Sequence, residues 1–150
     1  MKTTLVLLKP DAVQRGLVGE LISRIEDRGI KIVAIKLIQV DEQLASALYA
    51  PHKDKPFFSG LVAFITSSPL VAMAVRGENI IQIVRSLMGA TDPKDALPGS
   101  ARGDLASSIG ANLIHGSDSN ESAARELPLF FTDQEILNYD KDIDSWVNDS

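Results

Sequence analysis

Residues 112–119, Asn-Leu-Ile-His-Gly-Ser-Asp-Ser, concentrate the side chains that are suited to chemistry. His115 ends a short apolar run typical of a strand, and Gly116 leaves one face of its ring open. Ser119 can cap the helix predicted to follow, and a helix N-terminus attracts anions. Glu126 lies about two turns along that helix and can reach back to one imidazole nitrogen. The other nitrogen would then be free to act as a nucleophile.

Two other interpretations of this segment stay open from the residues alone. Ser117 could be a nucleophile with His115 as its base, which would make the protein a hydrolase. That reaction also needs an oxyanion hole and a third partner, and the sequence indicates neither. A non-catalytic assembly or regulatory protein is the second alternative. Such a protein has no need to keep His115 and Glu126 together with three basic side chains, Lys9, Arg85 and Arg102.

Several known kinds of site are missing from the sequence. It contains no Gly-x-x-x-x-Gly-Lys-Ser/Thr loop, no Gly-x-Gly-x-x-Gly fingerprint and no Gly-x-Ser-x-Gly elbow. With two histidines and no cysteine, a closed zinc site is not expected and no disulfide can form. Because cysteine, a signal peptide and any long apolar run are all missing, we expect a cytoplasmic protein that does not enter the membrane.

Charge is unevenly distributed along the chain, whose formal net charge is −5. Residues 1–102 carry 13 basic and 10 acidic side chains, whereas residues 103–150 carry 2 basic and 10 acidic ones. A net acidic chain is unsuited to duplex nucleic acid, which proteins bind through stripes of Lys and Arg. The basic excess of the first part still allows a compact pocket for a small anion. The acidic segment 133–149 predicts a solvated surface.

The apolar pattern predicts strands that are separated by helices. The strands are expected at 3–8, 30–40, 70–75 and 112–115. The helices are expected at 18–28, 41–49, 79–88 and 121–127, followed by a short helix that a capping box at 132–135 opens. The run 57–66 is ambiguous, and residues 90–102 are expected to form a long loop of functional importance. This order predicts one domain over residues 1–150, an α/β or α+β sandwich in which helices cover a sheet.

These segments closely resemble the nucleoside diphosphate kinase family, whose active-site signature is similar to residues 112–119 with Glu-Ser-Ala at 121–123. The likeness covers essentially the whole chain, with the motifs in the family's order and spacing. The other motifs are Leu-Lys-Pro-Asp-Ala-Val at 8–13, Lys-Asp-Lys-Pro-Phe-Phe at 53–58, Val-Ala-Met at 71–73, Arg-Ser-Leu-Met-Gly-Ala-Thr-Asp-Pro at 85–93 and Pro-Gly-Ser-Ala-Arg-Gly-Asp at 98–104. The resemblance implies a ferredoxin-like fold with a four-stranded antiparallel sheet, and it makes 57–66 a helix.

The resemblance also implies a reaction and the residues that perform it. The reaction is a ping-pong transfer of the γ-phosphoryl group from ATP to His115, and from there to a nucleoside diphosphate, which maintains nucleoside triphosphate pools. Glu126 would orient the imidazole, and Tyr49 would lie close to it. The positions that bind phosphates and ribose are matched by Lys9, Arg85, Thr91, Arg102 and Asn112. Phe57 matches the aromatic residue on which the base stacks. Lys9 and Tyr49 belong, with His115 and Glu126, to the catalytic residues that the resemblance implies.

The resemblance has consequences for the metal and for assembly. Magnesium would arrive bridging the nucleotide phosphates rather than in a protein cage. The protein would be a homo-oligomer, a hexamer or a tetramer, with residues 90–102 at or near a subunit contact. Two stretches depart from the family's usual pattern: residues 74–77 lack large or acidic side chains, and Asn120 stands where a small apolar residue is usual. Neither departure touches a residue that the resemblance assigns to chemistry.

Overall fold

A computed structural model describes residues 1–149 of the chain. Its strands form one antiparallel sheet in the order β2-β3-β1-β4. The strands are β1 (Lys2–Leu8), β2 (Lys31–Ile38), β3 (Leu70–Gly77) and β4 (Ile114–Gly116). The expected four-stranded antiparallel sheet with flanking helices is therefore confirmed.

Eight α-helices lie within the described residues: α1 (Pro10–Gln14), α2 (Val18–Asp27), α3 (Glu42–Leu48), α4 (Phe58–Ile65), α5 (Ile80–Met88), α6 (Ala101–Leu105), α7 (Asn120–Phe130) and α8 (Asp144–Val147). The ambiguous run 57–66 is a helix, as the resemblance implied. Two helices begin at the residues expected to cap them, since Asp41 accepts from the Leu44 amide and Ser119 from the Ser122 amide. None of these helices is long and apolar enough to cross a membrane.

Alternate residues of the central strand β1 pack into two separate cores. Val6 and Leu8 pack with the apolar side chains of α2 and α5, whereas Leu5 and Leu7 pack with those of α3, α4 and α7. Because His115 pairs with Leu7, its side chain lies on the same face of the sheet as Leu7, towards α7. Gly116 pairs with Val6 on the opposite face.

Gly116 allows α5 to pack directly on β4. A Cβ atom at this position would lie 2.8 Å from Met88 Sδ and 2.9 Å from Val84 Cγ1, both of which belong to the buried side of α5. These distances are too short for a side chain without a shift of the helix. The glycine therefore serves the packing behind the site. The expectation that it leaves one face of the His115 ring open is wrong, because a Cβ atom here would point to the other side of the sheet.

Some local features differ from the expectations drawn from the sequence, and α1 was not expected. Pro10 ends β1 as expected, but its fixed φ also suits the first turn of a helix, and it opens α1. The expected loop 90–102 contains a 3₁₀ turn at Pro93–Asp95 and runs into α6, which Ser100 caps through the Gly103 amide. β4 begins at Ile114 rather than at 112, because Leu113 has a φ of +75° and cannot belong to a strand.

The C-terminal segment also differs from its expected form. The capping box of Thr132 and Glu135 is present, and the short helix that it opens is a single 3₁₀ turn at Asp133–Glu135. Two acidic residues of the segment bind lysines of β2: Glu135 pairs with Lys36 at 3.0 Å and Asp144 with Lys31 at 2.7 Å. The acidic segment 133–149 is thus partly a strap along the sheet edge rather than wholly a solvated surface.

Candidate active site

His115, Ser117 and Glu126 form a compact group at the end of β4, which we call the histidine cluster. Glu126 reaches from α7 so that its Oε1 atom lies 2.8 Å from Nε2 of His115. The same oxygen accepts a hydrogen bond of 2.8 Å from the Ser117 hydroxyl. Ser117 and Glu126 are buried, whereas His115 is half-buried. The carboxylate can therefore hold the proton on Nε2 and leave the Nδ1 lone pair free.

The charge of Glu126 is stabilised by its neighbours despite burial. Burial acts to raise the pKa of this carboxyl, but hydrogen bonds from His115 and Ser117 and the charge of Arg125 outweigh it and hold the pKa below its usual value. Arg125 lies 3.4 Å from Oε2 of Glu126 and also donates to the last carbonyls of α3, on Ala47 and Leu48. The carboxylate is thus an anion at neutral pH and suited to orienting an imidazole.

Tyr49 ends α3 beside this cluster. Its side chain is half-buried, and burial, together with the negative charge of Glu126, raises its pKa to about 12. The phenol therefore keeps its proton at neutral pH. Within residues 1–149 its hydroxyl makes no hydrogen bond to His115 or Glu126, so the structure places Tyr49 near the cluster without joining it to the ring.

The geometry disfavours the hydrolase interpretation. The Ser117 hydroxyl donates to Glu126, and among the described residues it has no hydrogen bond to His115. Ser117 is only 1% exposed, so a substrate carbonyl cannot approach its oxygen. A serine nucleophile needs an adjacent base and access to the substrate. Ser117 has neither and instead helps to fix the carboxylate.

Three basic side chains, Lys9, Arg85 and Arg102, form a second group that we call the cation cluster. Lys9 follows β1 directly, and its ammonium donates to the Asn112 amide oxygen. Asn112 in turn donates through Nδ2 to the Thr91 carbonyl at 2.9 Å, which ties the loop after α5 to the segment before β4. Burial lowers the pKa of Lys9 to about 8, and Arg102 adds to this effect while Asp11 opposes it.

Arg102 is the most buried member, with 5% of its surface exposed. Its guanidinium donates to three backbone carbonyls, those of Asn112 (3.1 Å), Gly89 (3.0 Å) and Ile114 (2.6 Å). A guanidinium has five N–H donors, so two remain for a ligand. Burial and then the charge of Arg85 lower the pKa of Arg102 to about 10. Arg102 therefore holds the backbone around the site as well as supplying charge.

Arg85 differs from Arg102 in its exposure and in its hydrogen bonding. It lies on the exposed side of α5, and its side chain makes no hydrogen bond or ion pair within residues 1–149. Its charge depresses the pKa of Arg102 and that of Asp118, so these groups are neighbours. Two adjacent guanidiniums and a buried ammonium create a strong positive potential, which suits a polyanion such as a chain of phosphates.

The remaining predicted site residues lie at the surface. Thr91 is exposed on the loop after α5. Phe57, which precedes α4, is 52% exposed, and its ring lies 5.7 Å from that of His52 at an angle of 53°. Phe58 is half-buried, so the two neighbouring phenylalanines divide into an exposed ring and a packed one. The exposed ring is available for a flat ligand.

Sequence reasoning missed two residues of the site, Asp11 and Arg125. Asp11 lies within the motif Leu-Lys-Pro-Asp, but as an ordinary acidic residue in the first turn of a helix it has no distinctive signal of its own. Arg125 precedes Glu126 and would be expected to point elsewhere, because adjacent helical residues do not share a face. Its long side chain nevertheless contacts both Glu126 and the end of α3.

Within residues 1–149 no group of three or more His, Asp and Glu side chains lies close enough together to hold a metal ion. The cation cluster supplies positive charge, and the histidine cluster supplies an imidazole held by a carboxylate. This arrangement of charge suits the binding of an anionic ligand.

Comparison with known proteins agrees with this chemistry. Residues 2–136 match the family model described as nucleoside diphosphate kinase. A nucleoside diphosphate kinase of Carboxydothermus hydrogenoformans is 54% identical over 147 residues, covering 98% of this chain and 99% of the relative. One of Archaeoglobus fulgidus is 52% identical over 147 residues, covering 98% and 97% respectively.

Two solved structures share the fold. A halophilic nucleoside diphosphate kinase from Halobacterium salinarum, in complex with CDP, superposes with a TM-score of 0.96 at 49% identity, over 99% of both chains. A transition state mimic of the Borrelia burgdorferi nucleoside-diphosphate kinase, with bound vanadate and ADP, has a TM-score of 0.91 at 40% identity, over 97% of this chain and 95% of the other.

The sheet, the imidazole held by a carboxylate and the adjacent cations thus define a nucleotide phosphotransferase with the ferredoxin-like fold. The chain belongs to the nucleoside diphosphate kinase family.

Proposed function

We propose that the protein transfers the γ-phosphoryl group of ATP, or of another nucleoside triphosphate, to a nucleoside diphosphate through a phosphohistidine at His115. The observation that carries this proposal is the 2.8 Å contact between Glu126 and Nε2 of His115, which leaves Nδ1 as the nucleophilic nitrogen. In the cell this exchange would maintain nucleoside triphosphate pools.

In the first half-reaction, Nδ1 of His115 attacks the γ-phosphorus while the bond to the bridging oxygen breaks and the nucleoside diphosphate leaves. The imidazole ring becomes positively charged as it acquires the phosphoryl group. The ring keeps its Nε2 proton, and the Glu126 carboxylate balances the positive charge. In the second half-reaction a β-phosphate oxygen of another nucleoside diphosphate attacks the same phosphorus and the N–P bond breaks. No proton has to leave the cluster in either step.

Lys9, Arg85 and Arg102 would bind the phosphates and neutralise the charge that spreads over them during transfer. Phosphoryl transfer depends mainly on such positioning and electrostatic stabilisation. Asn112 and Thr91 would complete the contacts to phosphate and ribose. Magnesium would arrive bound to the nucleotide, where it would withdraw charge from the phosphates.

Phe57 would hold the base by stacking, with Tyr49 lining the wall between base and histidine. Every base offers a π-face, so stacking on an exposed ring tolerates many nucleotides. Selective rejection of one base requires buried hydrogen-bonding groups matched to its edge. We therefore expect guanosine, cytidine and deoxyribonucleoside diphosphates to react at rates within about tenfold of one another, in competition assays against ADP.

A homo-oligomer, either a hexamer or a tetramer, completes the proposal, and exposed apolar side chains on two segments support it. Leu97 and Ile109, in and beyond the loop after α5, are 76% and 58% exposed, and Leu37 on the edge strand β2 is 65% exposed. Sedimentation velocity at working concentration gives the assembly mass directly, and a fully active monomer would contradict this part. A cytoplasmic location stays a prediction from the cysteine-free composition.

The decisive experiment separates the two half-reactions. Incubation with γ-labelled ATP and magnesium, without acceptor, should leave one phosphate per chain on His115. Because the bond is a phosphoramidate, the label should be lost in acid, survive alkali and discharge when any nucleoside diphosphate is added. His115→Ala should abolish charging and turnover. Ser117→Ala and Ser119→Ala are the matched controls and should still be charged, so an acid-stable label or a label retained by His115→Ala would overturn the mechanism.

A further inference from the structure

Asp11, in the first turn of α1, has a position that the fold alone does not explain. Its Oδ2 atom accepts a hydrogen bond of 3.0 Å from the Leu113 amide. Its Oδ1 atom is buried and has no hydrogen-bond partner among residues 1–149. A buried carboxylate oxygen without a partner is unfavourable for folding. The negative charge therefore calls for a reason other than stability.

The Leu113 backbone is the first thing that Asp11 holds. Leu113 has a φ of +75°, a left-handed conformation that leucine rarely adopts, and its side chain is fully buried. The backbone is fixed on both sides, because its carbonyl accepts from the Lys9 amide at 2.8 Å and its amide donates to Asp11. A strained residue persists only where its surroundings over-determine it. The turn from Lys9 to Asp11 provides that constraint.

This constraint acts on the site because Leu113 lies between two site residues. Asn112, on one side, accepts from the Lys9 ammonium and contacts Arg102 through its carbonyl. Ile114, on the other side, leads directly into His115. A change in the Leu113 backbone would therefore move two groups of the site. One is the Asn112 side-chain amide that accepts from Lys9, and the other is the strand β4 that carries the His115 imidazole.

The charge of the Lys9 ammonium is the second thing that Asp11 controls. Lys9 is flanked by Asp11 on α1 and by Arg102 on α6, while the Phe64 ring of α4 lies 5.5 Å from its Nζ atom. Burial and the positive charge of Arg102 both favour the neutral amine, and the Asp11 carboxylate is the charge that opposes them.

We propose that Asp11 is a positioning residue for phosphate binding, whose carboxylate fixes the Leu113 backbone and keeps the Lys9 ammonium charged towards the transferred phosphates. This inference rests on the proposed function of Lys9. It separates into a hydrogen-bond part and a charge part, and two substitutions at one position distinguish them.

Asp11→Asn keeps an oxygen for the Leu113 amide and removes the charge. With Lys9 titrating at about 8 in the parent protein, loss of a neighbouring anion should lower its pKa by about one unit. The basic limb of the kcat/KM profile, which reports groups of the free enzyme, should move down by the same amount. At pH 9 kcat/KM should then fall by about tenfold relative to the parent, and at pH 6 by less than about twofold. Comparison with the parent on the same substrate cancels the titration of the nucleotide itself.

A direct titration of Lys9 keeps this test independent of activity. The free protein, with ¹³C at lysine Cε, is titrated by NMR, and the Lys9 signal is assigned by its loss in Lys9→Arg. We expect the Lys9 pKa to fall by about one unit in Asp11→Asn. An unchanged Lys9 pKa overturns the charge part whatever the enzyme does. If the parent protein transfers no phosphoryl group, the proposed function fails, and the NMR result still decides on Asp11.

Asp11→Ala removes the hydrogen bond as well as the charge. The nucleotide KM should rise at every pH, including pH 6 where Asp11→Asn is nearly normal, and identical KM values for the two variants at pH 6 would overturn the hydrogen-bond part. Asp144→Asn is the matched control. Asp144 also accepts from a backbone amide, that of Lys141 at 2.9 Å, and lies 2.7 Å from a lysine, Lys31, but it lies on the C-terminal strap. It should leave both the pH profile and the Lys9 titration unchanged.

Discussion

The histidine cluster and the cation cluster are built in opposite ways. The histidine cluster comes from one stretch of the chain, with Glu126 eleven residues beyond His115, and its members bond chiefly to one another. The cation cluster is assembled from three distant segments, at Lys9, Arg85 and Arg102. Lys9 and Arg102 bond to amide and backbone groups, and the Arg85 side chain has no partner among residues 1–149. One cluster is a local device and the other depends on the whole fold.

Under the proposed function, this difference separates the chemistry at His115 from the binding of the phosphates. A nucleophile has to be held close to its reacting position. The Glu126 carboxylate on α7 can hold the His115 ring through one short contact, because Ser117 and Arg125 fix the carboxylate in turn. Phosphate binding needs positive potential over a wider area, which separate elements can supply. A substitution in the histidine cluster should therefore act mainly on the orientation of the imidazole. A substitution in the cation cluster should act mainly on the loops that hold the basic side chains in place.

Replacing Arg102 by Met should produce the largest combined loss of stability and activity. The carbonyls of Asn112, Gly89 and Ile114 would lose the guanidinium as a donor, although the Asn112 carbonyl would still accept from the Ile114 amide. We expect this to lower the free energy of unfolding by about 3 kcal/mol in urea denaturation. Because the same backbone carries Asn112 and leads to His115, kcat/KM should fall by more than about a hundredfold. A normal unfolding midpoint would show that the carbonyl contacts do not hold this region.

Arg15→Met is the matched control for that variant. Arg15 is an exposed arginine that donates to a single backbone carbonyl, that of Leu105, at 2.7 Å. Its loss should change stability by less than about 0.5 kcal/mol. Similar losses in the two variants would mean that burial of Arg102 adds nothing.

Replacing Glu126 by Gln should reduce activity without a comparable effect on the cation cluster. The amide oxygen can still accept from Nε2 of His115, but the charge that balances the phosphorylated ring is lost. We expect kcat to fall by about 10²-fold, with the nucleotide KM changed by less than about threefold. Single-turnover charging with labelled ATP checks this, and a rise in KM with a normal kcat would mean that Glu126 acts in binding instead.

The same contrast explains what the sequence could predict. The contact of His115 with Glu126 was predictable because a cap, a helix and a spacing of about two turns are local features. The hydrogen bonds of the buried Arg102 to backbone carbonyls were not predictable. The carbonyls of Gly89 and Asn112 are far apart in the sequence, and only the folded chain brings them together. Interpreted from its neighbours, Arg102 was simply a cation in a loop rich in Gly and Pro.

Local ambiguity accounts for the errors in the fold. Pro10 is compatible both with the end of a strand and with the first turn of a helix, and both occur. Residues 97–100, Leu-Pro-Gly-Ser, indicate a loop, yet Ser100 is also a good helix cap. The left-handed conformation of Leu113 has no sequence signal, since glycine or asparagine is the usual residue there. Tertiary contacts from Lys9 and Asp11 impose it.

Replacing Arg85 by Ala should have the smallest effect of the three and should separate charge from structure. Its side chain is exposed and has no partner within residues 1–149, so the unfolding midpoint should stay within the error of the parent. As a supplier of charge to the phosphates it should still matter, and we expect kcat/KM to fall by about tenfold at low ionic strength, with a smaller ratio at high salt. The loss of one neighbouring cation should also raise the pKa of Arg102 towards its ordinary value, since Arg85 contributes to lowering it.

The control for this variant is Arg28→Ala. Arg28 is an exposed arginine at the end of α2, and its replacement should leave kcat/KM unchanged at both ionic strengths. If Arg85→Ala lowers the unfolding midpoint as much as Arg102→Met does, the two arginines are both structural and the division between a holding arginine and a binding arginine is wrong.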